Sequence, residues 1–236
     1  MEAIILAGGY GTRLQSIVRD VPKPMADING RPFLSYVVDH LSCQNMRKIL
    51  LSVGYKYEII KNYFGLKYKN IDIEYAIENE PLGTGGAIKK ALNQIDEDNA
   101  VVLNGDSFFD LDLQKMFHLH STQGSRLTIA VKPMHRFDRY GTVVLEGNRV
   151  MSFEEKSSRV FGYINGGVYI VDKGIFNTFE QYNNSFSFEK DFLEKKVDII
   201  NPLAFIAEGY FIDIGIPDDY ERAKKDMKNL FQETVT

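Results

Sequence analysis

The feature that most constrains the fold of this chain is its opening, the run Glu2-Ala-Ile-Ile-Leu-Ala7 that stops in Gly8-Gly9-Tyr10-Gly11-Thr12-Arg13-Leu14. A short apolar run bounded by glycines reads as a buried parallel strand, and the turn that leaves it reads as a phosphate cradle. Gly8, Gly9 and Gly11 let the backbone approach a ligand closely and aim N–H groups at an anion. Arg13 adds a planar, permanently charged fork suited to phosphate oxygens. Further on, Pro22-Lys-Pro-Met25 holds a second cation, Lys23, between two prolines that stiffen its backbone. The loop lacks the Gly-Lys-Ser/Thr ending of a P-loop. Leu14 stands where a dinucleotide fingerprint has its third glycine, which weighs against a nicotinamide dehydrogenase.

Beyond that loop, strand-like and helix-like patterns alternate. Pro32 to Leu41 sets Phe33, Leu34, Val37, Val38 and Leu41 on one helical face; Lys48 to Val53 reads as the next strand, Tyr57 to Phe64 as a helix, and Ile71 to Ile77 alternates as a strand does. This rhythm predicts a parallel sheet with right-handed crossovers. A second glycine-rich turn, Asn79-Glu-Pro-Leu-Gly-Thr-Gly-Gly86, opens into a helix over Ala87 to Leu92, and a second ligand contact is expected there. Ala100 to Leu103 is an apolar strand ending in Asn104-Gly-Asp106, so Asp106 sits beyond the carboxyl end of a strand, where α/β sheets keep their ligands.

After a helix over Leu113 to His120 and a strand over Leu127 to Val131, the rhythm changes. Tyr140 to Leu145, Val150 to Phe153 and Tyr163 to Val171 are strands joined by short turns such as Glu146-Gly-Asn148, which predicts an antiparallel or mixed extension. Helices over Gly174 to Tyr182 and Phe188 to Lys196, a strand over Leu203 to Ala207 and a strand end over Tyr210 to Gly215 follow. A last helix starts at Pro217 with Tyr220, Ala223, Met227, Leu230 and Phe231 on its buried face. The expected fold is α/β, a Rossmann-like, mostly parallel mixed sheet flanked by helices, with an antiparallel extension in the second half.

Composition narrows the function classes. With 236 residues, 44% hydrophobic and 25% charged, the chain can bury a substantial core as one domain. A net charge of -4 argues against a nucleic-acid partner, which calls for a basic surface. Cys43 is the single cysteine, and the four histidines, His40, His118, His120 and His135, lack ligand spacing, so neither a disulfide nor a zinc centre is expected. Nothing resembles a signal peptide, and no stretch approaches the ~18 successive apolar residues of a spanning helix. A cytoplasmic location with no membrane partner is the expectation.

Leu6-Ala-Gly-Gly-Tyr-Gly-Thr-Arg-Leu14 with Pro22-Lys-Pro-Met25 resembles the opening motif of the sugar-1-phosphate nucleotidyltransferases, also called nucleotide-sugar pyrophosphorylases. The likeness continues in family order through Glu80-Pro-Leu-Gly-Thr-Gly85, Asn104-Gly-Asp106, Phe153-Glu-Glu-Lys156, Asn165-Gly-Gly-Val-Tyr169 and Ile212-Asp-Ile-Gly215. One departure is Ser16, where many members have proline. The resemblance implies a reaction in which a sugar 1-phosphate oxygen attacks the α-phosphate of a nucleoside triphosphate and pyrophosphate leaves. The attacking group is already an anion, so catalysis reduces to positioning and charge neutralisation.

By that resemblance Arg13 holds the leaving end of the triphosphate and Lys23 approaches the phosphates undergoing exchange. Asp106 and Asp213 hold Mg²⁺, which takes one or two carboxylates plus phosphate oxygens and water. Leu6, Gly8 and Gly83 offer backbone to the base, Glu78 and Thr84 their side chains, while Gly8, Gly9, Gly11, Thr12 and Arg13 form the nucleotide loop. Glu78 suits the N1 and N2 edge of guanine, because a carboxylate accepts from two N–H donors. Lys156 meets the sugar phosphate, Glu155 the ring hydroxyls, and Gly141, Asn165 and Gly166 complete the sugar pocket. The implied division is a nucleotide-binding part over about 1–112 and a sugar-binding part over about 113–236.

Glu80-Pro-Leu-Gly-Thr-Gly-Gly-Ala87 and Phe137-Asp-Arg-Tyr-Gly-Thr-Val143 are most similar to the guanylyltransferases that use D-glycero-α-D-manno-heptose 1-phosphate to make GDP-heptose for bacterial surface polysaccharides. Mannose-1-phosphate guanylyltransferases and N-acetylmuramate-1-phosphate uridylyltransferases are the alternatives, and the β-helix domain of larger relatives is not expected. A catalytically silent, nucleotide-sugar-binding regulator is the alternative of another class; the presence of Arg13, Lys23, Asp106, Lys156 and Asp213 favours an enzyme. GTP and a sugar 1-phosphate are thus the expected small-molecule partners, and a homodimer through the second half is left open.

Overall fold

β1 (Glu2–Ala7) is the strand that the opening run predicts, and both of its faces are covered: Ala3, Ile5 and Ala7 enter one apolar cluster and Ile4 another. A computed structural model describes residues 1–9, 11, 14, 18–179 and 184–232. Thr12 and Arg13 lie outside the described residues.

In chain order there follow β2 (Asp27–Ile28), β3 (Arg31–Pro32), α1 (Phe33–Ser42), β4 (Lys48–Val53), α2 (Tyr57–Phe64), β5 (Lys67–Tyr68), β6 (Ile71–Ile77), α3 (Gly83–Leu92), β7 (Asn99–Asn104) and β8 (Ser107–Phe109). The second half comprises α4 (Leu113–Thr122), β9 (Leu127–Phe137), β10 (Thr142–Glu146), β11 (Arg149–Glu154), β12 (Arg159–Asp172), α5 (Glu194–Ile200), β13 (Leu203–Ile206), β14 (Phe211–Asp213) and α6 (Pro217–Gln232).

The main sheet has ten strands in the order β10-β11-β13-β9-β12-β7-β1-β4-β6-β5. β7, β1, β4 and β6 run parallel, while β12 pairs antiparallel with both β7 and β9, so the sheet changes texture at the β7–β12 ladder. The mixed α/β architecture and its antiparallel extension match the sequence-based expectation. Core residues of α1, α2, α4 and α6, among them Phe33, Phe64, Met116 and Met227, pack on one face; α3 and the helical run ending in α5 bring Ile88, Phe188 and Phe192 to the other. Among the described residues no helix is long and apolar enough to cross a membrane.

Several local expectations need correction. The helix expected from Ala87 begins at Gly83, so the second glycine turn is itself the first helical turn. Of the helix expected over Gly174 to Tyr182, the described part is a single 3-10 turn over Ile175–Thr178 with Phe179 extended; 180–182 lie outside the described residues. The helix from Phe188 is wound as a π-helix over Phe188–Leu193 before α5 continues it, a wider turn that apolar spacing does not announce. On α6, Leu230 is exposed, while Tyr220, Ala223 and Met227 are buried as expected. The strand end expected over Tyr210 to Gly215 is present as Phe211–Asp213, which pairs with β8 in a separate two-stranded sheet.

Candidate active site

The connection after β1 leads to β4 on one side and that after β7 leads toward β9 on the other, which opens a crevice beyond the ends of these two neighbouring strands. A cavity of about 320 Å³ lies there. Leu6, Ala7, Gly8, Gly9 and Gly11 line it from β1 and its loop, and Lys23 and Pro24 from the 3-10 turn Lys23–Met25. Glu78, Pro81, Gly83, Thr84 and Ala87 line it beyond β6 and along α3, and Asn104 and Asp106 beyond β7. The expected residues Leu6, Gly8, Gly9, Gly11, Lys23, Glu78, Gly83, Thr84 and Asp106 are thus brought together around one space.

The charged side of the cavity is built by strand ends. Gly105 donates its backbone N–H to the carbonyl of Leu6 (2.9 Å), and a Cβ at Gly105 would stand 2.8 Å from that oxygen, so glycine lets the turn after β7 close on β1. Asp213 pairs with Ser107 in the β8–β14 ladder, and Ile214 donates to the carbonyl of Asp106 (3.0 Å), so two carboxylates distant in sequence become neighbours. Both converge on the Lys23 ammonium, Asp106 Oδ2 at 2.7 Å and Asp213 Oδ1 at 3.5 Å. Pro22 is extended and Pro24 sits inside the turn, so the two prolines fix the backbone from which Lys23 reaches over. Lys23 is 9% exposed, whereas Asp106 and Asp213 are 40% and 30% exposed and keep oxygens toward solvent. Two carboxylates aimed at one cation-sized point fit a hard divalent ion that takes its other ligands from phosphate and water. Among the described residues no cluster of three or more metal-ligating side chains exists.

At the other wall, Glu78 Oε1 accepts from the Ser52 hydroxyl (3.0 Å) and Oε2 from the backbone N–H of Leu82 (3.3 Å). These two bonds orient the carboxylate and leave lone pairs on each oxygen. A Cβ at Gly8 would stand 2.7 Å from Glu78 Oε1, so glycine there makes room for this side chain.

The second glycine turn is less of a ligand contact than expected. Gly83 has φ +65°, and a Cβ on it would stand 2.5 Å from the carbonyl of Phe186; Gly85 and Gly86 face the Phe186 ring and the carbonyl of Asn184 just as closely. Its glycines therefore seat the segment before the π-helix, and of the turn's glycines Gly83 alone lines the cavity. Thr84 lines the cavity too, with its hydroxyl already engaged: it donates to Glu189 Oε2 (2.7 Å) and accepts from the N–H of Phe188 (2.8 Å).

The five residues expected to hold the sugar do not line this cavity. Asn165 and Gly166 lie on β12 at a break in its pairing with β9 between Asn165 and Tyr169. Asn165 Oδ1 accepts from the N–H of Gly167 (2.9 Å), whose φ of +68° shapes the bulge. A Cβ on Gly167 would stand 2.6 Å from Asn104 Nδ2, so the bulge abuts the cavity wall. Gly166 faces the Phe109 ring and Gly141 the carbonyl of Glu154, contacts that demand glycine for packing. Thr142 pairs with Ile164, which brings Gly141 alongside Asn165. Glu155 and Lys156 occupy the exposed loop between β11 and β12, with no hydrogen-bond or ion-pair partner among the described residues. Tyr140, next to Gly141, is pushed up to about 12 by burial and then by the Asp213 and Asp219 carboxylates, so it stays an O–H donor.

Sequence reasoning missed Ala7, Pro24, Pro81, Ala87 and Asn104 as cavity residues, and Glu189 behind Thr84. Asn104 had a signal, since it precedes Asp106 in the same strand-end motif; Glu189 had none, being one acidic residue in a run of charged ones.

Comparison with known proteins adds to this geometry. The family model described as "Nucleotidyl transferase" matches residues 2–229. The chain is 52% identical over 229 residues to D-glycero-alpha-D-manno-heptose 1-phosphate guanylyltransferase of Aneurinibacillus thermoaerophilus, covering 97% of this chain and 99% of that one. It is 50% identical over 221 residues to the enzyme of the same name from Campylobacter jejuni, covering 93% and 97%. The crystal structure of HddC from Yersinia pseudotuberculosis complexed with GMP-PN is 40% identical, with a TM-score of 0.84 over 96% of this chain and 99% of that one.

Proposed function

The chain belongs to the nucleotidyl transferase family, and on that premise we propose that it transfers the guanylyl group of GTP to D-glycero-α-D-manno-heptose 1-phosphate, forming GDP-heptose for surface polysaccharide and releasing pyrophosphate. The observation that carries the reading is the convergence of Lys23, Asp106 and Asp213 on the rim of a cavity whose far wall presents Glu78. Nucleotide and acceptor identity rest on the names of full-length relatives at half identity.

In this reading Glu78 accepts from the N1 and N2 hydrogens of guanine, with Ser52 and Leu82 fixing its orientation. The backbones of Leu6, Gly8 and Gly83 and the side chain of Thr84 border the base, and Gly9, Gly11, Thr12 and Arg13 follow the triphosphate. A phosphate oxygen of the sugar 1-phosphate forms a bond to the α-phosphorus on the side opposite the β-phosphate. The bond from that phosphorus to the bridging oxygen breaks, and the electron pair leaves on pyrophosphate. Because the nucleophile is already ionised, no proton need be removed, and the work of the site is to hold two polyanions in line. Lys23 donates its N–H bonds to the phosphates that exchange, moving from carboxylate to phosphate partners when substrate arrives.

Asp106 and Asp213 would hold a Mg²⁺, which when bound supplies charge neutralisation at the phosphates. Gly141, Glu155, Lys156, Asn165 and Gly166 serve the acceptor, with Lys156 at the sugar phosphate and Glu155 at the ring hydroxyls. The lone exposed Cys43 suits a reducing, cytoplasmic setting.

The test is a panel of GTP, UTP, CTP, dTTP and ATP against several sugar 1-phosphates with Mg²⁺, followed by pyrophosphate release. The expected result is turnover with GTP and the heptose phosphate above every other pair. Release from no pair refutes the transferase reading, and a preference for mannose 1-phosphate or a uridine nucleotide refutes the substrate assignment.

A further inference from the structure

Resting on the reading just given, we infer that Glu189 is a positioning residue that ties the nucleotide wall of the site to the acceptor bulge through one carboxylate. It stands in the second position of the π-helix Phe188–Leu193, a winding that recurs where a chain needs a side chain aimed out of helical register. Each of its oxygens faces a different part of the site. Oε2 accepts from the hydroxyls of Thr84 (2.7 Å) and Ser187 (3.2 Å); Oε1 accepts from the hydroxyl of Tyr169 (3.4 Å).

Tyr169 is 1% exposed, so the contact it makes is not exchanged for water, and its oxygen accepts in turn from Asn165 Nδ2 (2.8 Å). Asn165 then holds Gly167 in the bulge that abuts Asn104. The path Thr84, Glu189, Tyr169, Asn165 is therefore continuous and hydrogen-bonded, with Tyr169 buried and the other three half-buried, and it joins the first turn of α3 to β12.

The seam around it is tight. Phe186 donates to the carbonyl of Leu82 (3.0 Å) and accepts from the N–H of Gly85 (2.9 Å), while Gly85 and Gly86 have no room for a Cβ. The π-helical segment thus moves with the glycine turn, and Glu189 passes that position to the bulge. A chain of paired donors and acceptors with one carboxylate at its centre has no substitute for a second acceptor oxygen. Occupation of the nucleotide side is set to order the acceptor side through it.

The chemistry of glutamine separates the two halves. In Glu189→Gln the carbonyl oxygen serves Thr84 and Ser187, where two donors wait, and the amide nitrogen faces Tyr169, whose O–H then lacks an acceptor. The experiment compares wild type, Glu189→Gln and Glu189→Ala by initial rates with both substrates varied, by calorimetric GTP binding with and without the sugar 1-phosphate, and by melting temperature. Glu189→Ala is expected to raise both Michaelis constants about tenfold, and Glu189→Gln to restore the GTP constant to within about twofold of wild type while leaving the acceptor constant raised about fivefold. Melting temperatures that fall in both variants with unchanged Michaelis constants, or equal effects of Gln and Ala on the two substrates, overturn the proposal. A wild type that binds both ligands without turnover refutes the reaction and leaves this coupling to be read from the calorimetry, where GTP tightens the sugar phosphate in wild type and not in Glu189→Ala.

Discussion

Lys23 faces two carboxylates at once, Asp106 at 2.7 Å and Asp213 at 3.5 Å. Removing a charge from this group assigns distinct signs to the effects of single substitutions. Asp106→Asn keeps the size of the side chain and removes a charge. Turnover is expected to fall by about 10²–10³-fold, the loss typical of one preorganised electrostatic group. GTP affinity in EDTA is expected not to weaken, since taking a negative charge from beside a polyanion does not oppose binding. Pyrophosphate release and calorimetry read the two quantities, and near-normal turnover refutes the proposed role of Asp106 in holding Mg²⁺. At the opposite wall, under the proposed base contact, Glu78→Gln would leave one acceptor for two guanine donors. The Michaelis constant for GTP is expected to rise about tenfold and that for inosine triphosphate, which lacks the 2-amino group, by less than about threefold. Equal effects on the two nucleotides refute the base contact.

The foot of the parallel strands, at the end away from the cavity, is held by charge as well as by apolar packing. Glu2 on β1 is fully buried; it accepts from the N–H of Asp96 (2.8 Å) and pairs with Lys48 of β4 (3.2 Å), which also reaches Asp96 (2.9 Å). Burial alone would raise the Glu2 pKa, but the Asp96 N–H, Lys48 and the Glu97 N–H outweigh it and hold the carboxyl below 4.5. A depressed folded-state pKa means stability that is fully present above pH 4.5 and is lost as pH falls through the lower folded value. Glu2→Gln is expected to destabilise the neutral protein by about 2 kcal/mol, or roughly 4–8 °C in melting temperature. The gap to wild type should narrow as calorimetry is repeated toward pH 3, and a gap independent of pH contradicts the assignment. The elements of this half were legible in the sequence, because Lys48 to Val53, Tyr57 to Phe64 and Ile71 to Ile77 carry apolar patterns that recur with the same bounds in the fold. The π-helix was not legible, since Phe188 and Phe192 at i and i+4 spell an ordinary α-helix; nor was the reason for Gly85 and Gly86, which answer to Phe186 and Asn184 a hundred residues away. The pairing of Asp106 with Asp213 was suggested by motif alone; its physical cause, the β8–β14 ladder, is a long-range register that local pattern does not contain.

At the scale of the whole molecule, the cavity exists only when four distant stretches meet: the β1 loop, the Lys23 turn, Glu78 to Ala87 and Asn104 to Asp106. No one stretch retains this set of contacts in an unfolded chain, so a nucleotide that fits the cavity binds the folded protein and hardly the unfolded one. Mass action then converts affinity into stability. At GTP and Mg²⁺ concentrations giving about 100 times the dissociation constant, the folded state gains ~2.7 kcal/mol. For a chain of this length that gain corresponds to a rise of roughly 5–11 °C in melting temperature. UTP, CTP and dTTP at the same concentration are expected to give smaller rises, because none offers Glu78 the paired N–H edge of guanine, and the order of the shifts should follow the order of turnover in the nucleotide panel. The residues proposed for the acceptor lie outside the cavity, on β12, before β10 and in the β11–β12 loop, so the sugar 1-phosphate alone is expected to shift the melting temperature less than GTP does. With GTP present it should add a further rise that exceeds its effect alone, as the Glu189 path requires. A thermal-shift matrix of both substrates, singly and together, measures all of these; a sugar phosphate that stabilises equally with and without GTP argues for two independent sites.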